Sequence, residues 1–281
     1  MDHRNHGVSR VLKRVLSAGV FLAFASQASA SAIAPHRAVY DLQLLRATQG
    51  ANVGNVSGRM AYEVSGNECD GWTVSFRLVN RFDYNEGSPR IFDIQSSSWE
   101  TGDGKEMNYS EKEFVDSKQE SEKRVSVVRD EKDSVGQVNI TLPQAKKTSI
   151  PAETVFPMRH QLRLMEAAAK GETRQVSLVY DGSDNEKTVQ AISTIGKKVN
   201  AGEGKKDKDN AQAAPLQSLS SWPVTIGYYS AEEVNSEMPL YQINFDMYEN
   251  GVSNSLIMDY GNFALSGKLA HLEFLKAEEC Q

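Results

Sequence analysis

The chain has 281 residues, a formal net charge of −6 and only two cysteines. Its length suits one large domain or two small ones, and 40% apolar residues are ample for a core. The acidic balance does not attract phosphate backbones or anionic lipid surfaces, which argues against nucleic-acid binding.

Arg4, Arg10, Lys13 and Arg14 precede an apolar run from Val15 to Ala25, and Ala28-Ser29-Ala30 follows it. Basic head, short apolar centre and A-x-A site form a secretory signal peptide. A membrane-spanning helix needs roughly 20 apolar residues, and this run is about half that. Residues 1–30 are therefore expected to be removed, leaving a mature chain from Ser31. No cysteine follows the run to carry a lipid anchor. There is no adjacent twin-arginine pair, so the general export route is favoured. No later segment is long and apolar enough to span a membrane. The mature chain is expected to be exported and soluble, with no transmembrane segment.

Beyond the leader, apolar residues recur at period two. Tyr40, Leu42 and Leu44 alternate with Asp41 and Gln43, and Trp72, Val74, Phe76 and Leu78 alternate with Thr73, Ser75 and Arg77. Further on, Val176, Leu178 and Tyr180 bracket a serine, and Tyr241, Ile243, Phe245 and Met247 alternate with polar residues. This pattern gives strands with one buried and one wet face. Turn signals separate them at Ser65-Gly66-Asn67, Asn85-Glu86-Gly87, Gly102-Asp103-Gly104, Asp181-Gly182-Ser183 and Glu249-Asn250-Gly251. The expectation is a mainly β protein of antiparallel meanders.

One helix stands out near residues 157–170. Pro157 suits a first turn. Met158, Leu162, Met165 and Ala169 share one face, with Arg159, Arg163, Glu166 and Lys170 off it. Gly171 suits the C-terminal cap. The stretch from about 201 to 214 is rich in Gly, Lys and Asp near its start, and it reads as a mobile loop between strands.

Cys69 and Cys280 are both in the mature part. In an oxidising compartment an isolated pair is expected to bridge. So long a loop corresponds to about 5 kcal/mol in the chain-entropy estimate, before strain and residual unfolded structure reduce it. There is no C-x-x-C redox spacing.

No catalytic signature is present. Gly54-Asn55-Val56-Ser57-Gly58 has the wrong spacing for a nucleophile elbow, and there is no H-E-x-x-H. His36, His160 and His271 stand alone rather than at metal-ligand spacing, and read as structural or surface residues. Asp207 and Asp209 lack the rest of a calcium loop. Asp181 to Asn185 reads as a tight turn. No catalytic residue, metal or cofactor is expected.

Several strings together resemble one family. They are His36-Arg37-Ala38-Val39-Tyr40-Asp41-Leu42, Gly58-Arg59-Met60-Ala61-Tyr62-Glu63, Cys69-Asp70-Gly71-Trp72-Thr73 and Phe156-Pro157-Met158-Arg159-His160. Val179-Tyr180-Asp181-Gly182-Ser183-Asp184, Trp222-Pro223-Val224, Tyr248-Glu249-Asn250-Gly251-Val252-Ser253 and Met258-Asp259-Tyr260-Gly261-Asn262-Phe263 complete the set. With both cysteines they resemble the EipB-like cell-envelope integrity proteins of the alphaproteobacterial periplasm. The resemblance implies a single antiparallel β-spiral, or open-barrel-like sheet, over residues 31–281. It implies a disulfide between Cys69 and Cys280, a periplasmic location and a role in maintaining the envelope. The sheet it implies is reminiscent of half-barrels that carry lipoproteins. It supplies no catalytic residues.

Two functions follow as expectations. The first is a non-catalytic envelope factor that binds a lipid-like ligand or another periplasmic or envelope protein on its apolar sheet face. The alternative is a hydrolase acting on peptidoglycan or lipid through carboxylates that meet only in the fold. Carboxylates converging in a concave pocket would favour the enzyme, and an apolar lining would favour binding.

Overall fold

The computed structural model describes residues 33–184, 187–203, 210–232, 237–277 and 280. The expected leader and its cleavage site lie outside these residues, as do Asp207 and Asp209.

The first meander runs through β1 (His36–Ala47), β2 (Val53–Asn67), β3 (Gly71–Tyr84), β4 (Arg90–Glu100), β5 (Glu106–Val115), β6 (Lys118–Val128), β7 (Gly136–Leu142) and β8 (Lys146–Ile150). Helix α1 (Pro157–Ala169) follows. The second meander is β9 (Arg174–Val179), β10 (Val189–Ile195), β11 (Ser221–Ser230), β12 (Tyr241–Tyr248), β13 (Ser253–Asp259) and β14 (Phe263–Phe274). All fourteen strands form one sheet in the order β8-β7-β6-β5-β4-β3-β2-β1-β14-β13-β12-β11-β10-β9, with every pair antiparallel. The seam joins the first and last strands, with His36 opposite Phe274 and Leu42 opposite Gly267.

The sheet is open, with β8 and β9 at its edges, yet it curls on itself. Val64 of β2 and Trp72 of β3 share a core with Val179, Ala191, Ile195, Trp222 and Val224 of the other meander, and α1 fills the space between. After β8, Val155 pairs with β9: its N–H donates to the Leu178 carbonyl at 2.8 Å, and its carbonyl accepts the Tyr180 N–H at 3.0 Å. Part of the β9 edge is thereby covered, which limits strand-to-strand association there.

Helix α1 starts and stops for identifiable reasons. Pro157 occupies the first turn, where its missing N–H is not needed. The buried Glu100 carboxylate at the end of β4 accepts the Met158 N–H at 2.8 Å, so a residue from another strand caps the helix. At the other end Gly171 adopts φ +75°, its N–H donates to Ala168 O, and the Glu172 N–H donates to Ala167 O. That is a Schellman arrangement, which needs a residue tolerant of positive φ.

The helix is buried more widely than its single apolar stripe suggests. His160, Leu164, Ala167 and Ala168 are buried along with Met158, Leu162 and Met165, whereas Ala169 is exposed. The stretch expected as a loop from 201 to 214 also differs at its end. Ala211–Leu216 form a short 3-10 helix with Ala213 and Leu216 buried, and the Asn210 side chain accepts the Gln212 N–H. Asn210 also donates to the Leu269 carbonyl at 2.8 Å, fixing this piece against β14.

Cys69, in the β2–β3 turn, is bonded to Cys280 with a Cα separation of 5.5 Å, closing a sequence separation of 211.

Candidate functional site

The sheet's inner face is only partly filled. Trp72 packs against α1 in the core shared by the two meanders, and Trp222 lies in the same cluster. Beside the helix a cavity of about 330 Å³ remains. Its walls come from β1, β2, α1, the end of β9, β11, β12 and β13, so it exists only once both meanders are in place. Tyr62, Ile226, Tyr228, Phe245, Met247 and Met258 make much of the lining. Two surface clefts, of about 420 and 390 Å³, are bordered largely by charged, hydroxyl and amide side chains instead. A mostly apolar concavity of this size with a few polar groups is the usual form of a small-molecule site.

The alternating apolar residues of the strands divide between filling and lining. Trp72 fills, while Tyr241 and Phe245 line the cavity. Rings continue from that wall. Tyr241 stacks on Tyr228 at 4.5 Å between centroids and lies 6.3 Å from Tyr260, and Tyr260 stacks on Phe263 at 5.0 Å. Phe263 then meets Phe82 of β3 edge-on at 5.7 Å, carrying the file of rings from one meander to the other. Tyr260 is partly open to solvent, and Leu240 just before β12 is exposed.

Two of the three histidines read as structural or surface residues line this cavity. His36 is buried, and its Nδ1 lies 2.7 Å from the Ala34 carbonyl, which assigns the proton to Nδ1. Burial holds its pKa below the ordinary value. On α1, His160 is 6% exposed, and among the described residues its Nε2 has no hydrogen-bond partner. Burial pushes its pKa down to about 4, so the ring is neutral at physiological pH. His271 lies on β14, away from the cavity and exposed.

Burial also keeps the cavity tyrosines un-ionised. Tyr40, Tyr62, Tyr228 and Tyr241 all have raised pKa values through desolvation. The Tyr40 hydroxyl donates to the Ser253 carbonyl at 2.6 Å, bracing β1 to the start of β13. Glu100 lies outside the lining, where desolvation pushes its carboxyl up to about 8 despite the helix N–H groups it faces.

Paired carboxylates do not meet here among the described residues, where Asp181 is the only Asp or Glu in the lining. Among the described residues no group of three or more His, Cys, Asp or Glu side chains could hold a metal ion. No described helix is long and apolar enough to cross a membrane. The expected turn at Asp181 is present: its Oδ1 accepts the Ser183 N–H and Oγ–H at 2.9 and 2.7 Å. Cys69 and Cys280 are not among the lining residues.

Six of the eight strings that carry the family resemblance supply cavity residues. They contribute His36 and Tyr40, Met60 and Tyr62, Pro157 and His160, Val179 and Asp181, Gly251 and Ser253, and Met258. Comparison with known proteins agrees. A curated relative, the cell envelope integrity protein EipB of Brucella abortus (strain 2308), is 35% identical over 255 residues, which is 90% of this chain and 88% of that protein. A crystal structure from Brucella abortus, described as a β-barrel-like protein of a domain of unknown function, is similar with a TM-score of 0.81 and 33% identity. The match covers 87% of this chain and 99% of that one. Residues 27–276 match the EipB-like family, and the chain belongs to it.

Proposed function

We propose that this protein is an exported, periplasmic factor that helps maintain the cell envelope by holding an apolar ligand in the cavity beside α1, without catalysing a reaction. The cavity is the observation that carries this reading: it is walled by both meanders and mostly apolar in lining. The name of the Brucella relative supports the envelope role. The leader with its Ala28-Ser29-Ala30 site supports export. Against the hydrolase reading stands the single carboxylate in the lining, since acid–base hydrolysis of a glycoside uses two.

Native mass spectrometry of gently purified mature protein tests the proposal. The expected spectrum contains a bound species that leaves on collisional activation. A hydrophobic dye should brighten in the native state and be displaced by lipid. A ligand-free protein that leaves the dye dark until it unfolds would sink the reading.

A further inference from the structure

Among the described residues the cavity lining has one acidic side chain and no Lys or Arg to match it. Of the twenty lining residues, Asp181 is that acidic side chain, and burial lowers the pKa of both histidines. Asp181 lies two residues beyond the end of β9 and is half-buried. Its hydrogen bonds are to Ser183, and among the described residues it forms no ion pair. Lys123 reaches the same turn, where its Nζ donates to the Ser183 carbonyl at 2.7 Å. Its charge is matched by Glu111 at 2.8 Å, with both side chains largely covered. Lys123 is thus matched by Glu111, and of the three only Asp181 borders the apolar space. Asp181 is also close enough to Tyr228 and Tyr241 to help hold their hydroxyls protonated, which places it beside the stacked rings. An unpaired charge next to apolar surface is costly, and a cation that covers it recovers that cost. Tyrosine faces favour the same partner, since their quadrupoles attract ammonium groups.

Building on the ligand-binding reading above, we infer that the cavity takes an amphiphile with a cationic head. Its apolar chain packs among Ile226, Phe245 and Met258, and a primary or quaternary ammonium sits beside Asp181, Tyr228 and Tyr241. A carboxylate or phosphate head without a compensating cation is rejected at that position. The ligand class is thus an aliphatic amine or ammonium lipid rather than a fatty acid.

The test uses matched ten-carbon probes below their micellar concentrations: decyltrimethylammonium, decylamine, decanol and decanoate. Binding is measured by calorimetry on the mature wild-type protein. Both cations should bind at least ten-fold more tightly than decanoate, with decanol between. Asp181→Asn should bring the four within about two-fold of one another, while Asp181→Glu keeps the order. Circular dichroism checks that the Asp181–Ser183 turn survives, and Asn retains an acceptor oxygen for it. Equal binding of all four to wild type, or a cation preference that persists in Asp181→Asn, overturns the inference and leaves the apolar-ligand reading standing. If none of the four binds and the protein carries no ligand, both fail.

Discussion

The two flanks of the sheet are stabilised differently. Around α1, strands β9–β12 together with β2 and β3 put Trp72, Trp222, Val224, Ile226 and Met247 into one broad core. The flank from β5 to β8 has a narrower one: Met107, Tyr109, Val125, Val127, Val138, Ile140 and Ile150 close over Phe156 and Tyr180. Its other face is polar, with Arg124 held to Glu122 and Lys118 to Glu120 in exposed pairs. A flank with both a helix and a cavity to enclose needs continuous apolar surface. A flank that only wraps a plug of two aromatic residues can have one polar face, and it depends more on specific anchors.

Arg129 is the anchor whose loss should separate the flanks most. It is 4% exposed, and its guanidinium donates to the carbonyls of Ser134, Ala152 and Thr154 at 2.8–3.0 Å while lying 5.2 Å from the centre of the Phe156 ring. It ties the end of β6 to the segment that leads into α1. Arg129→Ala leaves up to three carbonyls without a donor, a loss of about 4 kcal/mol. Urea unfolding should show the loss. If hydrogen exchange accelerates first in β5–β8, the flank is a separate cooperative unit; uniform acceleration across all fourteen strands would refute that.

The disulfide acts on the other side of the comparison. It joins the β2–β3 turn to the tail beyond β14, so it constrains the strands that surround the helix. Cys280→Ser should cost about 2–4 kcal/mol, since the bond's main effect is on the unfolded chain. The variant should melt at a lower temperature while its far-ultraviolet circular dichroism stays β-type. An unchanged melting temperature, or free thiols in untreated protein, would contradict this.

The same contrast explains what could be read from the sequence. β1, β3 and β12 are legible because their inner faces are apolar at every second residue. β4 to β6 are not: Gln95-Ser96-Ser97-Ser98 and Lys118 to Arg124 show no alternation, because ion pairs and short hydroxyls occupy that surface. The β5–β6 hairpin was also hidden. It turns on Asp116 and Ser117 at φ 51° and 69° with no glycine to mark it, and the Asp116 carboxylate accepts the Ile91 N–H at 2.9 Å. The helix was legible in position but not in burial, since a helix held between a curled sheet and a cavity hides more than one stripe. The cavity was not legible, because His36, Tyr62, His160, Asp181 and Tyr228 become neighbours only when the sheet curls. His160 is the fourth residue of an amphipathic helix and lies off its apolar stripe, so the stripe does not mark it as buried.

Two buried groups near α1 should give the protein opposing pH dependences. Glu100 is raised from 4.5 to about 8, so the folded state holds its proton more tightly than the unfolded chain. Its contribution is full below about 4.5 and is lost as pH rises through 8. His160 is lowered from 6.5 to about 4, so its contribution is full above 6.5 and is lost as pH falls towards 4. Glu100→Gln keeps an acceptor for the Met158 N–H and removes the first effect. Between pH 5 and pH 8 the variant should lose less stability than wild type, by up to about 3–4 kcal/mol. Parallel curves would mean that the carboxylate stays ionised at the helix terminus throughout.

The smallest effect belongs to the outer face, where the flanks meet at β3 and β4. Arg77 and Asp93 face each other across these strands at 2.9 Å, with Gln95 also donating to Asp93. Arg77 is mostly exposed, so solvent and salt screen the pair, and such pairs contribute under about 1 kcal/mol. The hydrogen bond from Arg77 holds the Asp93 carboxyl below its usual pKa near 3.8. Its stabilisation is therefore present above that value and is lost as pH falls through the lower folded value. A double-mutant cycle with Arg77→Ala and Asp93→Ala at pH 7 should give a coupling below about 1 kcal/mol. That coupling should shrink further in 0.5 M salt and weaken as pH falls below 3.8. A coupling several times larger, and insensitive to salt, would mean that the polar face is a structural element in its own right. The contrast between a flank built on apolar burial and one built on a few anchors would then have to be redrawn.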